Sequence, residues 1–441
     1  MRAWAAERVA EAAGAALARG AEGSPRRVVI DSRDVGPGDL FVGLVGERVD
    51  GGAFAAAALE AGAWGVLVAP DRAAGLSGGG AVLAADDPLA ALGAMARGWR
   101  RELGAWVIAV TGSVGKTSTK DLTAALVAPH RRVVASHANF NTDIGMPLEI
   151  LAAPAGTEVL VLEAAMRGFG QIADLAAICE PDVGVITNIG AVHLEQVGSL
   201  DGVARAKAEL LERLEGTAVV PAGEPRLEPY LRAELDVVRF GDGGDVRLDG
   251  DVVVAHGERL DLELGFSARH QRENALAAVA AALAIGVRPT GRLEAPLAAL
   301  RGERVALPGG AVIINDCYNA SPLSMRAALD DLAAQAPSGR RIAVLGDMLE
   351  LGAEELALHR EIGAVAAEAG VDVLVTVGPR AVAMLDAFDG ESYAVADAAE
   401  AAALAGELLE AGDVALVKGS RGVGLEVVAE ALAAVEEAPR G

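Results

Sequence analysis

A glycine-rich turn with a single lysine separates an apolar run from a helical pattern near residue 110. The apolar run "VIAV" begins at Val107, and the turn that follows reads TGSVGKT. Glycines allow the backbone to bend tightly around an anion, and the first turn of a helix offers free N–H groups and the positive end of its dipole. Lys116 can then reach the β- and γ-phosphates of a nucleotide, and the Thr117 hydroxyl can coordinate Mg²⁺. The turn predicts a phosphate-binding loop that comprises Thr111, Gly112, Ser113, Val114, Gly115, Lys116, Thr117 and Ser118.

The loop alone does not decide what a bound phosphate is used for. The full pattern G-x-x-x-x-G-K-[ST] is not met, because position 110 is valine. The shorter G-x-x-G-K-T pattern is compatible with a hydrolase or switch, a kinase and a ligase. The alternative to all three is an ordinary glycine turn with a surface lysine.

Two further polar residues follow apolar runs that have the length of strands. Glu163 ends the run "EVLVLE", where its carboxylate could reach Mg²⁺, which prefers oxygen ligands. His193 follows "VGVITNIGAVH" in the same way. Taken singly, Glu163 could be a solvated residue at a strand end and His193 a structural histidine.

Other polar residues also have ordinary structural explanations. Lys207 lies in the charged helical pattern "GVARAKAELLERL", where a lysine is normally solvated. Asn139 and Asn141 flank Phe140 and could bind a ligand or stabilise turns. Asn274 stands at the start of an alanine-rich helical pattern, where capping is the usual function of asparagine.

The elements that must position these residues fall into three α/β segments within the 441 residues. Residues 1–100 mix short strands with a helix after Gly51, and the amphipathic stretch "DPLAALGAMARGWRREL" leads out of them. Residues 101–302 alternate apolar strands with helices, which predicts a parallel sheet covered on both faces, with short hairpins from Asp242 to Glu263. Residues 303–441 repeat the α/β alternation. The first twenty residues alternate charge with alanine and predict a helix, not a signal peptide.

The composition limits the possible partners and location. The net charge of −24 disfavours binding to nucleic acid or to anionic membranes. No apolar run approaches the ~20 residues that a membrane-spanning helix needs. The two cysteines, Cys179 and Cys317, predict neither a disulfide framework nor a zinc site. A cytoplasmic protein without membrane insertion fits these observations best.

The motifs together resemble those of one family, the ATP-dependent Mur ligases of peptidoglycan synthesis. The resemblance is carried in order by "AVTGSVGKTSTKDL", "HANFNTDIGMPL", "VLEAAMRGFGQIADLAAICEPDVGVITNIGAVHLEQVGSLDGVARAKAELL" and "RHQRENALAA", and it covers nearly the whole chain. It implies a small N-terminal α/β domain for the UDP-linked substrate, a central domain with a parallel sheet like that of P-loop ATPases, and a Rossmann-like C-terminal domain.

The outer segments narrow the resemblance within the family. The stretch from Asp31, "DSRDVGPGDLFVGLVGERVDGG", is similar to the N-terminal domain of the last two amino-acid-adding members. "INDCYNASPLSMRAAL" and "VLGDMLELGAEELALHREIG" look like the member that adds a dipeptide. The resemblance implies that ATP activates the terminal carboxylate of a UDP-N-acetylmuramoyl-tripeptide as an acyl phosphate, which the amine of D-alanyl-D-alanine then attacks. This would be the last cytoplasmic ligation in making the peptidoglycan precursor for the cell wall.

The resemblance also implies functions for individual residues. Lys116, His193 and Lys207 would be catalytic, with Lys207 carrying CO₂ as a carbamate. Mg²⁺, as two ions, would be bound by Thr117, Glu163 and His193. Besides the phosphate loop, the ATP contacts would be Asn274, Arg301, Asp316, Tyr318 and Asn319. Lys418 would hold the reacting carboxylate, and the uridine-nucleotide substrate would be bound by Ser32, Arg33, Gly46, Arg48, Asp50, Asn139 and Asn141.

Two kinds of alternative remain open from sequence. The first is a sister ligase, either the enzyme that adds the third amino acid or a folylpolyglutamate-type ligase. The second is a nucleotide-dependent binding module that forms no bond. We expect a monomer. Because the substrates would be held by separate domains, we also expect the third domain to move when ligands bind.

Overall fold

The amino-terminal region is built on a sheet of short strands with its helices packed around it. The computed structural model describes residues 4–46, 48–137, 140–294, 300, 302–307 and 309–434. The first sheet has the strand order β1-β5-β4-β3-β2, in which only β1 runs antiparallel to its neighbour. The elements are α1 (Ala6–Ala13), β1 (Ala16–Arg19), β2 (Val28–Val29), β3 (Leu40–Val42), α2 (Ala55–Glu60), β4 (Gly65–Val68), α3 (Pro70–Ala73), β5 (Ala81–Ala84) and α4 (Pro88–Leu103), with a 3₁₀ turn at Gly51–Phe54.

The prediction of a helix over the first twenty residues is wrong beyond Ala13. Gly14 adopts the left-handed conformation with φ +62°, which ends α1. Ala16–Arg19 then form an edge strand paired with β5. The register with the neighbouring strand, a non-local contact, overrides the helix propensity of the alanines.

The central region contains the longest sheet, in the order β14-β13-β12-β11-β10-β9-β6-β8-β7. Its strands are parallel from β7 to β12, whereas β12, β13 and β14 form the antiparallel hairpins that the sequence predicts. The strands are β6 (Trp106–Thr111), β7 (Val133–Ala135), β8 (Val159–Glu163), β9 (Val183–Ile186), β10 (Thr217–Pro221), β11 (Asp236–Phe240), β12 (Val246–Asp249), β13 (Val252–Ala255), β14 (Glu258–Arg259) and the separate parallel pair β15 (Leu262–Leu264) and β16 (Gly291–Leu293).

Helices cover both faces of the central sheet. They are α5 (Lys116–Val127), α6 (Gly145–Ala152), α7 (Gln171–Cys179), α8 (Leu194–Val197), α9 (Leu200–Ala208) and α10 (Arg269–Ala284), with 3₁₀ turns at Glu209–Leu211 and Pro225–Tyr230. The apolar run of β6 from Val107 to Val110 is fully buried, as expected of a central parallel strand.

The third region has its own sheet, in the order β17-β18-β22-β19-β20-β21, with β17 antiparallel and the others parallel. Its elements are β17 (Glu303–Ala306), β18 (Val312–Asn315), α11 (Pro322–Ala333), β19 (Arg341–Gly346), α12 (Glu355–Glu368), β20 (Val373–Val377), β21 (Glu391–Val395), α13 (Ala398–Leu408), β22 (Val414–Lys418) and α14 (Glu426–Ala434), with 3₁₀ turns at Gly352–Glu354, Ala381–Ala387 and Arg421–Val423.

The hydrophobic cores do not divide evenly among the three regions. One core cluster runs from α1 and the first sheet through α4 to β6, β8 and α6 of the central region. The third region packs two clusters of its own on the two faces of its sheet. The division into residues 1–100, 101–302 and 303–441 stays a prediction, and α4 runs across its first boundary. Within the described part of the chain, no helix has the length and apolarity to cross a bilayer.

Candidate functional site

The predicted phosphate loop connects β6 to α5 at the carboxyl edge of the central sheet. Gly112 has φ +148° and Gly115 has φ +80°. A Cβ atom on Gly112 would lie 1.9 Å from Thr187 Oγ1, and one on Gly115 would lie 2.3 Å from Asn274 Oδ1. Both positions therefore require glycine, for conformation and for space.

Residues after the neighbouring strand β9 hold the loop in shape. Thr187 Oγ1 donates to the Val114 carbonyl at 2.6 Å, and the Asn188 amide bonds both the Val114 N–H, at 2.9 Å, and its carbonyl, at 3.0 Å. The Ser113 hydroxyl exchanges hydrogen bonds with the Gly190 backbone. Neither Thr187 nor Asn188 is among the residues predicted from sequence. Their signal was the polar pair "TN" directly after a buried strand beside β6.

The loop lysine lies over its own loop. Lys116 Nζ donates to the Gly112 carbonyl at 2.8 Å and to the Ser113 carbonyl at 3.2 Å. This position places the ammonium at the N-terminus of α5, where free N–H groups and the helix dipole already favour an anion. The arrangement can bind a phosphate group.

A group of polar side chains that includes possible metal ligands lies at the end of the adjacent strand β8. Thr117 Oγ1 donates to Glu163 Oε2 at 2.7 Å, and Asn141 Nδ2 donates to Glu163 Oε1 at 2.8 Å. The Ser136 hydroxyl accepts the Glu163 backbone N–H at 2.9 Å, and the buried Lys120 donates to the Ser136 carbonyl at 2.5 Å. Glu163 is thus fixed through both its backbone and its carboxylate.

The hydroxyl of Thr117 and the carboxylate of Glu163 suit Mg²⁺. Mg²⁺ takes oxygen ligands, commonly one or two carboxylates together with phosphate oxygens and waters. The described residues contain no group of three or more His, Cys, Asp or Glu side chains that could hold a metal ion. A magnesium ion shared with nucleotide phosphates does not need such a group.

Lys207 is a buried lysine with an unusually acidic ammonium group. Its pKa is well below the ordinary lysine value, chiefly because burial disfavours the charged form and further because Lys116 is close. Glu209 and Glu163 oppose this effect. The Glu209 carboxylate accepts the backbone N–H groups of Gly170 and Ala173. A lysine in this environment is neutral more readily than a solvated one.

His193 lies where the central and third regions meet. Burial lowers its pKa most strongly, Glu350 acts in the opposite direction, and Lys207 and Lys116 lower it further. Its Nδ1 atom is hydrogen-bonded to Glu350 of the third region. His193, Lys207 and Lys116 therefore share one electrostatic environment beside Glu163.

The predicted residues of the third region form a second group at the ends of β18 and β22. The buried Lys418 donates to Asp316 Oδ2 at 2.6 Å and to the Asn319 carbonyl at 2.9 Å. The Tyr318 backbone N–H bonds the Leu300 carbonyl at 3.2 Å. Lys418 thus organises the segment that contains the predicted nucleotide contacts.

The predicted uridine-nucleotide residues of the first region differ in how far their side chains are already engaged. Asp50 accepts the Gly52 N–H at 2.9 Å and pairs with Arg72 at 2.8 Å. Arg33 pairs with Asp31, and this hydrogen bond holds the pKa of that carboxyl at about 2. Arg48 is exposed on the loop after Gly46.

Two predicted site residues cannot be placed in this way. Asn139 and Arg301 lie outside the described residues. Asn274, predicted to contact adenine, is buried with its amide against Gly115 of the phosphate loop.

The three α/β regions and the phosphate loop define a multidomain α/β protein with a phosphate-binding site. Comparison with family models shows which family of such proteins the chain matches. Three family models match consecutive parts of the chain: "Mur ligase family, catalytic domain" at residues 26–98, "Mur ligase middle domain" at 110–282, and "Mur ligase, glutamate ligase domain" at 300–421. The chain belongs to the Mur ligase family.

Individual relatives are similar over almost their full length. The UDP-N-acetylmuramoyl-tripeptide--D-alanyl-D-alanine ligase of Bacillus subtilis is 36% identical over 429 residues, which cover 92% of each chain. The crystal structure of MurF from Acinetobacter baumannii superposes with a TM-score of 0.90 at 30% identity, covering 98% of this chain and 99% of that one. MurF ligase from Thermotoga maritima in complex with ADP superposes with a TM-score of 0.81 at 28% identity, covering 93% and 97%.

Proposed function

We propose that this protein is an ATP-dependent ligase that joins D-alanyl-D-alanine to a UDP-N-acetylmuramoyl-tripeptide. The observation that carries the proposal is the phosphate loop beside the Thr117–Glu163 pair. The relatives that match this chain over almost its full length are named as ligases. We further propose that it acts as a monomer in the cytoplasm, without nucleic acid or membrane as a partner.

The reaction must bring two anions together. An oxygen of the tripeptide carboxylate attacks the γ-phosphorus of ATP, ADP leaves, and an acyl phosphate forms. The amine of the dipeptide then attacks the acyl carbon and loses a proton, and inorganic phosphate leaves. Positive charge between the carboxylate and the triphosphate lowers the barrier to the first step.

The residues of the central region divide this work. The N–H groups at the start of α5 and the Lys116 ammonium bind the phosphates. Thr117 and Glu163 would hold Mg²⁺, which when bound neutralises phosphate charge, and His193 would hold a second ion. Asn141 orients the Glu163 carboxylate through its 2.8 Å hydrogen bond.

Lys207 is proposed to carry CO₂. Only a neutral amine can attack the carbon of CO₂, and the lowered pKa of Lys207 favours the neutral form. The nitrogen loses a proton as the bond forms, which turns a buried cation into an anion. The Lys116 ammonium is close enough to stabilise that anion electrostatically.

In the third region, Lys418 is proposed to hold the reacting carboxylate, and Asp316, Tyr318 and Asn319 the nucleotide. The hydrogen bonds from Lys418 to Asp316 and Asn319 support one shared site for both functions. In the first region, the uridine nucleotide is proposed to contact Ser32, Arg33, Gly46, Arg48 and Asp50, since guanidinium groups suit a diphosphate.

Phosphate release tests the reaction. The purified protein with Mg²⁺ and ATP should release phosphate only when both the muramoyl tripeptide and D-alanyl-D-alanine are present, together with a pentapeptide product seen by mass spectrometry. Release without either substrate would indicate a nucleotide-dependent module. Release with a free amino acid in place of the dipeptide would indicate a sister ligase.

A Lys207→Ala variant tests the carbamate. It should lose activity and recover part of it with short carboxylic acids, which can replace the anion in the vacated space. Absence of recovery, together with unmodified lysine both in the intact mass of the wild-type protein and in its electron density, would contradict the carbamate and leave the ligase reaction untouched.

A further inference from the structure

One turn of the third region reaches the catalytic histidine of the central region. The turn comprises residues 347–351, between β19 and the 3₁₀ turn at Gly352–Glu354. The Glu350 carboxylate is hydrogen-bonded to His193 Nδ1, 157 residues away in sequence. The Glu350 carbonyl also accepts the Glu195 N–H at 3.4 Å. The side chain and the backbone of Glu350 therefore both contact the segment that contains His193.

Both ends of this contact adopt an uncommon backbone conformation. His193 has φ +51° and Glu350 has φ +63°, both in the left-handed region that residues with a side chain rarely adopt. Such conformations cost free energy and persist where surrounding contacts impose them, often at functional sites. The two partners of this contact therefore both hold a backbone conformation that their own surroundings must stabilise.

The turn is firmly attached to its own region. The Met348 N–H donates to the buried His359 Nε2 at 2.9 Å, and the Leu349 N–H donates to Ser420 Oγ at 3.0 Å. The Asp347 carboxylate accepts the N–H groups of Arg380 and Ala381 at 2.9 and 2.7 Å. Glu350 must therefore move with the whole third region.

We propose that Glu350 is a positioning residue that makes the orientation of His193 depend on docking of the third region. A carboxylate on Nδ1 keeps the proton on that nitrogen and leaves the Nε2 lone pair available, as in other histidines whose second nitrogen acts as a ligand. When the third region undocks, His193 loses this partner. Phosphoryl transfer then waits until the region that carries Lys418 is in place.

The function of His193 in this inference rests on the proposed ligase reaction, whereas the docking contact can be tested without it. A Cβ atom on Gly352 would lie 3.9 Å from the Cβ of Glu195, within the range that a disulfide spans. The pair Glu195→Cys and Gly352→Cys can thus report docking by its rate of disulfide formation under mild oxidation. The natural cysteines, Cys179 and Cys317, are both buried.

Adding Glu350→Gln to this cysteine pair should slow disulfide formation several-fold, because the hydrogen bond from the imidazole to a charged carboxylate, which favours the docked state, is weakened. Glu354→Gln is the matched control, since Glu354 is an exposed carboxylate in the next turn. It should leave the rate unchanged. Equal rates with Glu350 and with Gln at this position would overturn docking through this contact.

Kinetics of the otherwise natural chain test the positioning of His193. Glu350→Gln should lower kcat about 10–100-fold, as expected when the partner of a ligand histidine is removed, with little change in the KM for ATP. Glu350→Asp should recover part of kcat, and the thermal midpoint of each variant should match that of the wild type. An unchanged kcat, or a change confined to the KM for ATP, would overturn the inference. If the wild-type chain forms no amide, the proposed function fails, and the disulfide rates still decide the docking contact.

Discussion

The two junctions of the molecule are built from different chemistry. Between the first and central regions, α4 packs apolar side chains against both, and one core cluster continues across. Trp4 and Trp99 meet edge to face with ring centroids 5.7 Å apart, and the Trp99 indole donates to the Ala153 carbonyl at 3.0 Å.

Between the central and third regions, by contrast, the described residues touch at separate points and not through a continuous core. Among these residues the contacts include the hydrogen bonds of Glu350 with His193 and Glu195, the approach of Leu323 to Gly190, and the packing of Leu358 against the shared core. The third region keeps two complete clusters of its own.

The difference indicates which parts move together. Separating the first and central regions would expose a continuous apolar core, so we expect them to behave as one body. Separating the third region leaves its own two core clusters intact, which is compatible with the domain motions that sequester reactive intermediates from water. The predicted movement of the third region would therefore occur at the second junction.

The largest expected effect comes from removing the aromatic contact of the first junction. Trp99→Ala should lower the free energy of unfolding by about 3–5 kcal/mol, because it leaves a cavity and an unpaired Ala153 carbonyl. Urea unfolding followed by circular dichroism measures the change. Trp106→Ala is the control, since Trp106 is 42% exposed, and should cost less than about 1 kcal/mol. Equal costs would show that the shared core does not hold this junction.

The reactivity of the two cysteines can measure local opening separately in the shared core of the first two regions and in the third region. Burial raises the pKa of the Cys179 thiol, in the shared core, and of the Cys317 thiol, in the third region, to about 12. Because the thiolate is the reactive form, labelling near pH 8 requires local opening. We expect Cys317 to react faster than Cys179, as measured by mass spectrometry after peptide digestion. Faster labelling of Cys179 would reverse the comparison.

The same thiols give a dependence on pH. The folded-state pKa of each thiol is about 12, above the value of 9.0 for a free thiol. The contribution of each buried neutral thiol to the free energy of unfolding is therefore fully present below pH 9. It is lost as the pH rises from 9 towards 12. The midpoint of urea unfolding, measured over this range, should fall less in a Cys179→Ser variant than in the wild type.

A smaller effect is expected from a wedge at the second junction. A Cβ atom on Gly190 would lie 3.0 Å from Leu323 Cδ2, so in Gly190→Ala the Leu323 side chain must shift and pack less closely, at a stability cost of about 1 kcal/mol. Dipeptide-dependent phosphate release should fall several-fold. Leu323→Ala should restore part of the activity in the double variant, and absence of any coupling would argue that this contact is unimportant for docking.

The smallest effect is expected from an ion pair at the first junction. Arg101 of α4 pairs with Glu180, yet the arginine side chain is 63% exposed. Arg101→Ala should change the free energy of unfolding by less than about 1 kcal/mol, since exposed pairs contribute little. A loss comparable to that of Trp99→Ala would show that charge and not apolar packing joins the two regions.

Much of the central region could be predicted because its signals are local. A buried strand, a glycine turn and a helix start are adjacent in sequence, so the phosphate loop and the carboxylate of Glu163 follow from neighbouring residues. The hairpins after Asp242 could be predicted for the same reason. Strand β1 could not, because its alanines favour a helix and only pairing with β5 makes them a strand.

Some residues that hold the phosphate loop were not predicted, because their sequence pattern is not specific to such a function. Thr187 and Asn188 look like ordinary turn residues, and their importance comes from the parallel pairing of β6 with β9, which brings them against Val114. Lys207 was predicted, but only through the family resemblance, because its sequence context alone is typical of a solvated lysine. Its lowered pKa depends on burial and on Lys116, which lies elsewhere in the chain.

The sequence by itself determined the phosphate loop, the order of α/β elements and the family to which they belong, because these depend on residue types at short spacing. Only the tertiary structure decided that the first two regions share a core, that Lys207 is buried, and that Glu350 meets His193. Those properties arise from contacts between residues far apart in the chain, and the free energy of such contacts depends on geometry that local patterns do not contain.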